Sequence, residues 1–184
     1  MRLGKPSRPL ALSAAVVTVS VIGGVAFAAS SAEATAPGAG HGKYGCTTID
    51  LFERTDKHDA NKPLPDPRNV PVGLQLTYFD SVYDPSGTTK VGDAAGVNSM
   101  VEKRASDGHI IQYVTQQYTF ADGSLVASGS MDRSDVIGQK WVGTPVYGTA
   151  GRYLGLAGTW TWRLVDLTDP TAPAVVKFTL CGRM

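Results

Sequence analysis

Apolar and polar residues alternate along much of the chain in short runs bounded by turn residues. In the run at 72–82, one parity holds Val72, Leu74, Leu76, Tyr78 and Val82. A period of two is typical of a half-buried β-strand. The other strand-like runs lie at 47–52, 96–103, 110–120, 125–131, 155–165 and 175–180. The pattern predicts seven or eight strands.

Turn residues separate these runs at distances typical of hairpins. Ser106-Asp107-Gly108 and Ala121-Asp122-Gly123-Ser124 each stand between two strand-like runs, and an Asp-Gly pair in that position favours a tight turn. Glycine or proline interrupts every window long enough for a helical period. We therefore predict an all-β domain that is a barrel or a sandwich.

The segment from Gly143 to Gly158 has five glycines in sixteen residues and runs directly into the strand-like residues 159–165. Glycine loses more conformational entropy on folding than other residues, so such a cluster marks backbone that turns sharply or approaches another backbone closely. We predict a tight corner of a curved sheet here.

The start of the chain has the features of an export signal. Arg2, Lys5 and Arg8 precede an apolar run from 10 to 28, which ends in an Ala-x-Ala pattern at 26–28. This is typical of a secretory signal peptide; a membrane anchor is the alternative. We predict a signal peptide at 1–34, a flexible glycine- and proline-rich linker at 35–43 and one β-barrel domain at 44–184, in a secreted protein that has no membrane contact after cleavage.

Composition narrows the range of partners and of covalent links. The formal net charge is +1 and basic residues form no run, which argues against nucleic acid as a partner. Cys46 and Cys181 are the two cysteines. In an oxidising compartment an even pair predicts a disulfide, which would make the first and last strands neighbours, as in a closed barrel. Two free thiols are the alternative.

Few residues have the spacing of a known catalytic or metal motif. His41, His58 and His109 do not form a pair with metal-ligand spacing, so we predict no metal site. Aromatic residues are frequent on the strands, among them Tyr113 and Tyr118 on the central hairpin. They either fill a β core or line an apolar ligand cavity, as in small barrels.

Three segments together resemble the family of plant dirigent proteins and allene oxide cyclases. Val91–Val101 is similar to the family's V-G-x-x-x-G strand, Phe120–Gly129 to its G-S-[TL]-x-x-x-G hairpin and Gly143–Gly158 to its glycine-rich turn. The resemblance covers roughly residues 45 to 180. It implies an eight-stranded antiparallel β-barrel with a central apolar cavity.

The resemblance also implies which residues act. In allene oxide cyclases an acid on the first strand and a cysteine on a later one sit in the cavity; Asp50 and Asn98 are the matching positions, and both are predicted catalytic residues. Asp80, Tyr83 and Tyr113 match residues near the cavity mouth of dirigent proteins. With Tyr118 they form the predicted ligand-binding set.

The function that follows is a secreted barrel that binds a small apolar or phenolic molecule and steers its cyclisation or coupling. Restricting the conformation of a reactive substrate selects one product. No cofactor is implied, and family members often form homo-oligomers. The alternative is a non-catalytic extracellular carrier or recognition domain.

Overall fold

The protein, described from a computed structural model over residues 44–63, 66 and 70–183, folds into a closed barrel of eight antiparallel strands. The strands are β1 (Tyr44–Ala60), β2 (Gln75–Tyr83), β3 (Lys90–Lys103), β4 (Ile110–Phe120), β5 (Gly123–Asp132), β6 (Val142–Gly151), β7 (Ala157–Leu164) and β8 (Ala174–Arg183). The predicted all-β class and the eight-stranded antiparallel barrel are confirmed.

The barrel closes where β1 pairs with β8, in a register that runs from Tyr44 opposite Arg183 to Glu53 opposite Ala174. Cys46 lies opposite Cys181 in this register, and the two form a disulfide with their Cα atoms 4.1 Å apart. The predicted disulfide is therefore present at the seam between the first and last strands.

Strand β6 differs from its predicted form, because residues 142–151 form a paired strand in the segment expected to be a corner. The turn itself covers only residues 151–156, with positive φ at Gly151 and Gly155. The other glycines of this segment lie where neighbouring backbone comes close. A Cβ on Gly148 would overlap the carbonyl oxygen of Tyr153.

One short helix, α1 (Arg133–Ile137), follows β5, although none was expected from the sequence. The Asp132 carboxylate caps it by accepting a hydrogen bond from the Ser134 backbone N–H at 2.8 Å. Five residues are too few for a helical period to be visible, so only the Asp-x-Ser cap could have indicated it. The helix places Arg133 and Val136 at one end of the barrel.

The barrel interior is filled asymmetrically. At its centre the Tyr118 ring packs edge-on against Phe178, with ring centroids 4.8 Å apart, and against Trp160 at 6.0 Å. The Trp160 ring in turn stacks on Trp162 at 5.7 Å. Aromatic rings of this size fill one half of the lumen. The other half, towards α1 and the β7–β8 loop, keeps a cavity.

The predicted signal peptide and linker, residues 1–43, lie outside the described residues. Among the residues that the structure describes, none belongs to a helix long and apolar enough to cross a membrane.

Candidate active site

The cavity has a volume of about 210 Å³ and opens at the end of the barrel where β1 ends and β2 begins. Its walls combine aromatic and aliphatic groups with a few polar side chains, as ligand pockets do. The lining residues are Glu53, Thr55, His58, Leu76, Tyr78, Asp80, Asn98, Gln116, Arg133, Val136, Trp160, Trp162, Leu164, Pro170, Ala172 and Ala174.

Glu53 is the acid on the first strand that faces this cavity. Side chains of a strand alternate between the two faces of a sheet, and on β1 the buried residues Leu51 and Glu53 share the inner face. Burial raises the pKa of Glu53 to about 8, and the nearby Asp80 carboxylate adds to this effect. The Tyr118 hydroxyl and the Gln116 amide oppose the rise only partly. Glu53 is therefore mostly protonated at neutral pH.

Asp80 on β2 is the second buried acid of the cavity. Burial raises the pKa of Asp80 to about 6, a hydrogen bond with Thr55 limits the rise, and the negative charge of Asp56 adds to it. In the β1–β2 register Asp80 lies opposite Thr55, and Glu53 lies opposite Val82. The two acids are thus diagonal neighbours on one inner face. Near pH 7 one is mostly ionised and the other mostly protonated.

A chain of hydrogen bonds positions the Glu53 carboxyl group. The Tyr78 hydroxyl donates to Gln116 Oε1 at 3.0 Å, which turns the amide nitrogen of Gln116 towards Glu53 Oε2, at 3.4 Å. Glu53 Oε1 has no hydrogen-bond partner among the described residues, and the nearby Tyr118 hydroxyl makes no bond of acceptable geometry. One oxygen of the acid is therefore held by Gln116, and the other is buried near the Tyr118 hydroxyl without a hydrogen bond.

Further buried polar atoms of the cavity wall also lack a partner within the described part of the chain. They are Asp80 Oδ1, Asn98 Oδ1, Trp160 Nε1 and Trp162 Nε1. Buried polar groups in native proteins are normally satisfied, so several unpaired ones around a cavity call for water or a ligand. The two indole N–H groups are donors on β7, whereas the two oxygens are acceptors on β2 and β3.

The structure brings only part of the predicted site together. Asp80 and Asn98 line the cavity, and Tyr118 is buried beneath it. Tyr113 is 42% exposed on the outer face, where its hydroxyl contacts the Ser128 hydroxyl. Tyr83 does not line the cavity either; its ring lies 5.5 Å from the Arg54 guanidinium.

Asp50 points to the outer surface, and its carboxylate lies 3.4 Å from the ammonium group of Lys177. The prediction that it acts in the cavity does not fit this placement, because a strand directs residues an odd number apart to opposite faces. Glu53, three positions later, takes the inner position. It follows Ile49 and Leu51 at alternate positions, and this parity was the signal that could have identified it.

His109 lies in a polar cluster away from the cavity. Ligand atoms of His109, Asp107 and Asp132 lie within 4.8 Å of one another. The Arg104 guanidinium already pairs with both carboxylates, at 2.5 Å for Asp107 and 2.6 Å for Asp132. The arginine thus offsets part of the negative charge of the two carboxylates, and the cluster links the β3–β4 turn to the start of α1.

Fold and cavity together define a closed β-barrel whose lumen holds a pair of buried acids. Residues 33–177 match the family described as allene oxide cyclase barrel like domain. The chain belongs to this family. None of the curated proteins matches the chain.

Solved structures share the barrel fold. The exo-specific intermolecular Diels-Alderase AbnU is similar, with 27% identity and a TM-score of 0.66 over 77% of this chain and 100% of that one. The Diels-Alderase AbmU from Streptomyces koyangensis has 24% identity and a TM-score of 0.63, over 77% of this chain and 70% of that one. The pterocarpan synthase dirigent protein GePTS1 shares the fold at 14% identity, with a TM-score of 0.56 over 75% of this chain and 84% of that one.

We expect Glu53→Gln to remove a pH-dependent loss of stability. The folded-state pKa of Glu53 is about 8 and its ordinary value is 4.5. The folded state therefore binds this proton more tightly, so the wild-type protein loses stability as the pH rises from about 4.5 to about 8. The variant cannot ionise there. Urea unfolding should show similar free energies at pH 4.5 and a gain on the order of 4 kcal/mol for the variant at pH 8, since one unit of pKa shift corresponds to about 1.4 kcal/mol.

The matched control is Asp50→Asn, which removes one exposed carboxylate from the same strand. Its unfolding free energy should follow the wild-type pH curve. Parallel pH curves for Glu53→Gln and wild type would show that Glu53 is ionised in the folded protein at neutral pH.

Proposed function

We propose that the barrel binds a small, largely apolar molecule in this cavity and steers its cyclisation or coupling. The single observation that carries the proposal is the mostly protonated Glu53 carboxyl group, held with one unpartnered oxygen in an aromatic-walled cavity of about 210 Å³. A neutral acid donates a hydrogen bond to a substrate oxygen and stabilises the charge that develops there.

The walls supply the conformational restriction that such a reaction needs. The indoles of Trp160 and Trp162 form an apolar part of the cavity wall on β7, against which an unsaturated or aromatic substrate can lie. Holding the reacting groups close and aligned lowers the entropic part of the reaction barrier. The family assignment and the 27% identity to a protein described as a Diels-Alderase support cycloaddition or a related ring closure as the reaction class.

A non-catalytic carrier is the second candidate, and the residue at position 98 favours it. Where the family resemblance places a cavity cysteine, this chain has Asn98, which lines the cavity with an amide and offers no thiol. A carrier would release its ligand unchanged.

Ligand binding is tested with the protein purified from its own culture medium. Native mass spectrometry should detect a co-purified small apolar compound. Ala174→Leu, which adds bulk to the cavity wall, should reduce that occupancy at least tenfold, whereas Thr179→Leu adds bulk outside the barrel on the same strand and should not. Equal occupancy in both variants would place the ligand elsewhere. Incubation with the released compound's precursor then separates the two candidates: a carrier leaves it unchanged.

A further inference from the structure

We propose that the Glu53–Asp80 pair also transfers protons between carbon and oxygen, so that the cavity catalyses the enolisation of a bound apolar ketone. This activity rests on one part of the proposed function, the binding of a small apolar molecule in the cavity. It is a proton-transfer reaction in its own right, and it needs no ring closure.

The first argument is placement. Glu53 on β1 and Asp80 on β2 line one cavity from adjacent strands and share the inner face, since Asp80 lies two residues from Val82, the residue opposite Glu53. Diagonal neighbours of this kind lie about 7 to 8 Å apart in a sheet. Carboxyl side chains at that separation can reach two neighbouring atoms of one small molecule. A carbonyl oxygen and the adjacent C–H group are such a pair.

The second argument is the free oxygen on each acid. Glu53 Oε2 faces the Gln116 amide, whereas Glu53 Oε1 and Asp80 Oδ1 have no partner among the described residues. An unpaired oxygen on a buried carboxyl group is costly unless something else meets it. Each acid of the cavity wall therefore has one buried oxygen that the described residues leave without a hydrogen bond.

Their protonation states are complementary. The pKa of Asp80 is about 6 and that of Glu53 about 8, so between these values Asp80 is a base and Glu53 an acid. A general base and a general acid of this kind work best when their pKa values lie near the working pH. The other ionisable groups that face the pair are Tyr78, Tyr118, Asp56, His58 and Arg133. Burial raises the pKa of both tyrosines, which keeps them neutral.

The reaction balances without any co-reactant. Asp80 Oδ1 takes a proton from the carbon next to the carbonyl group, and the electron pair of that C–H bond forms the new C=C bond. The carbonyl π electrons move to oxygen, which takes the proton from Glu53 Oε1. The products are an enol, a neutral Asp80 and an ionised Glu53. In the reverse step Asp80 returns a proton to carbon and the enol hydroxyl returns one to Glu53, which restores both side chains.

The test uses 2-tetralone, a bicyclic aromatic ketone with acidic protons next to its carbonyl group. In D₂O, ¹H NMR follows the loss of its C1 proton signal. We expect the full-length protein to accelerate exchange at least tenfold over buffer, with a maximum between pH 6 and 8. Glu53→Gln and Asp80→Asn should each reduce the exchange rate catalysed by the protein at least tenfold. Asp50→Asn, on the outer face, should keep it.

Binding is measured by tryptophan fluorescence with each protein made also in a Trp141→Phe background. This substitution removes the exposed indole, so that the signal comes from Trp160 and Trp162 at the cavity. Binding without exchange, or exchange unaffected by both acid substitutions, overturns the proton-transfer proposal and leaves the proposed function standing. If 2-tetralone does not bind, the proton-transfer proposal fails with it, and native mass spectrometry still decides the proposed function.

Discussion

Replacing Gly158 by alanine is expected to cost about 3 kcal/mol or more of folding stability. Gly158 lies on β7 between Val146 of β6 and Leu180 of β8. A Cβ at this position would overlap the carbonyl oxygen of Thr179 on the neighbouring strand. Because the obstacle is backbone, relief requires β7 and β8 to move apart, which also disturbs Trp160 at the cavity wall.

Gly155→Ala is the matched control within the same glycine-rich segment. Gly155 has a φ of +81°, but no atom lies within 4 Å of the position of its missing Cβ. Alanine there meets only the backbone strain of the left-handed region, about 1 kcal/mol. Urea unfolding of the two variants should separate them by at least about 2 kcal/mol. Equal costs would mean that the interstrand approach at Gly158 is loose.

Removing the disulfide is expected to cost about 4 kcal/mol, because the loop it closes is long. Cys46 and Cys181 are 135 residues apart in sequence, and in the chain-entropy model a long loop restricts the unfolded chain strongly. The bridge ties together the two strands on which barrel closure depends. Its loss should therefore weaken the β1–β8 pairing, which also carries Glu53.

The experiment compares wild type with the double variant Cys46→Ser/Cys181→Ser, each with and without dithiothreitol. Wild type should lose stability on reduction, and the double variant should already be at the reduced level and should not respond to the reagent. A double variant as stable as oxidised wild type would show that interstrand hydrogen bonds alone hold the seam.

Much of this barrel could be predicted from alternation and turn residues, because both are local properties. The hairpin of β4 and β5 shows this: Ile110–Phe120 coincides with the predicted run, and the two turn residues, Ala121 and Asp122, lie within the predicted turn. Strand β6 was not predicted, although Val142, Thr144 and Val146 alternate on its buried face, because its glycines and Pro145 are typical of a turn. Those glycines follow from close approaches between strands, such as that of Gly148 to Tyr153.

The candidate site was harder to predict, because the inner face of a strand depends on the whole barrel. Asp80 and Asn98 were identified and do line the cavity, although their roles stay predictions. The family resemblance directed the prediction to Asp50, whereas Glu53 lies one residue beyond the predicted end of the first strand. The unpaired oxygens and the raised pKa values depend on three-dimensional burial, which no local pattern contains.

The seam between β1 and β8 also determines when the barrel can form. Pairing residues 44–53 with residues 174–183 is a contact of very high sequence separation, and folds that depend on such contacts form slowly. While the chain is being made, β1 can pair with β2 but its other edge stays open until the final strand is available. An open edge readily pairs with other chains. The nascent protein is thus most exposed to aggregation just before β8 is available, and a copy truncated before β8 would be an unclosed sheet rather than a smaller barrel.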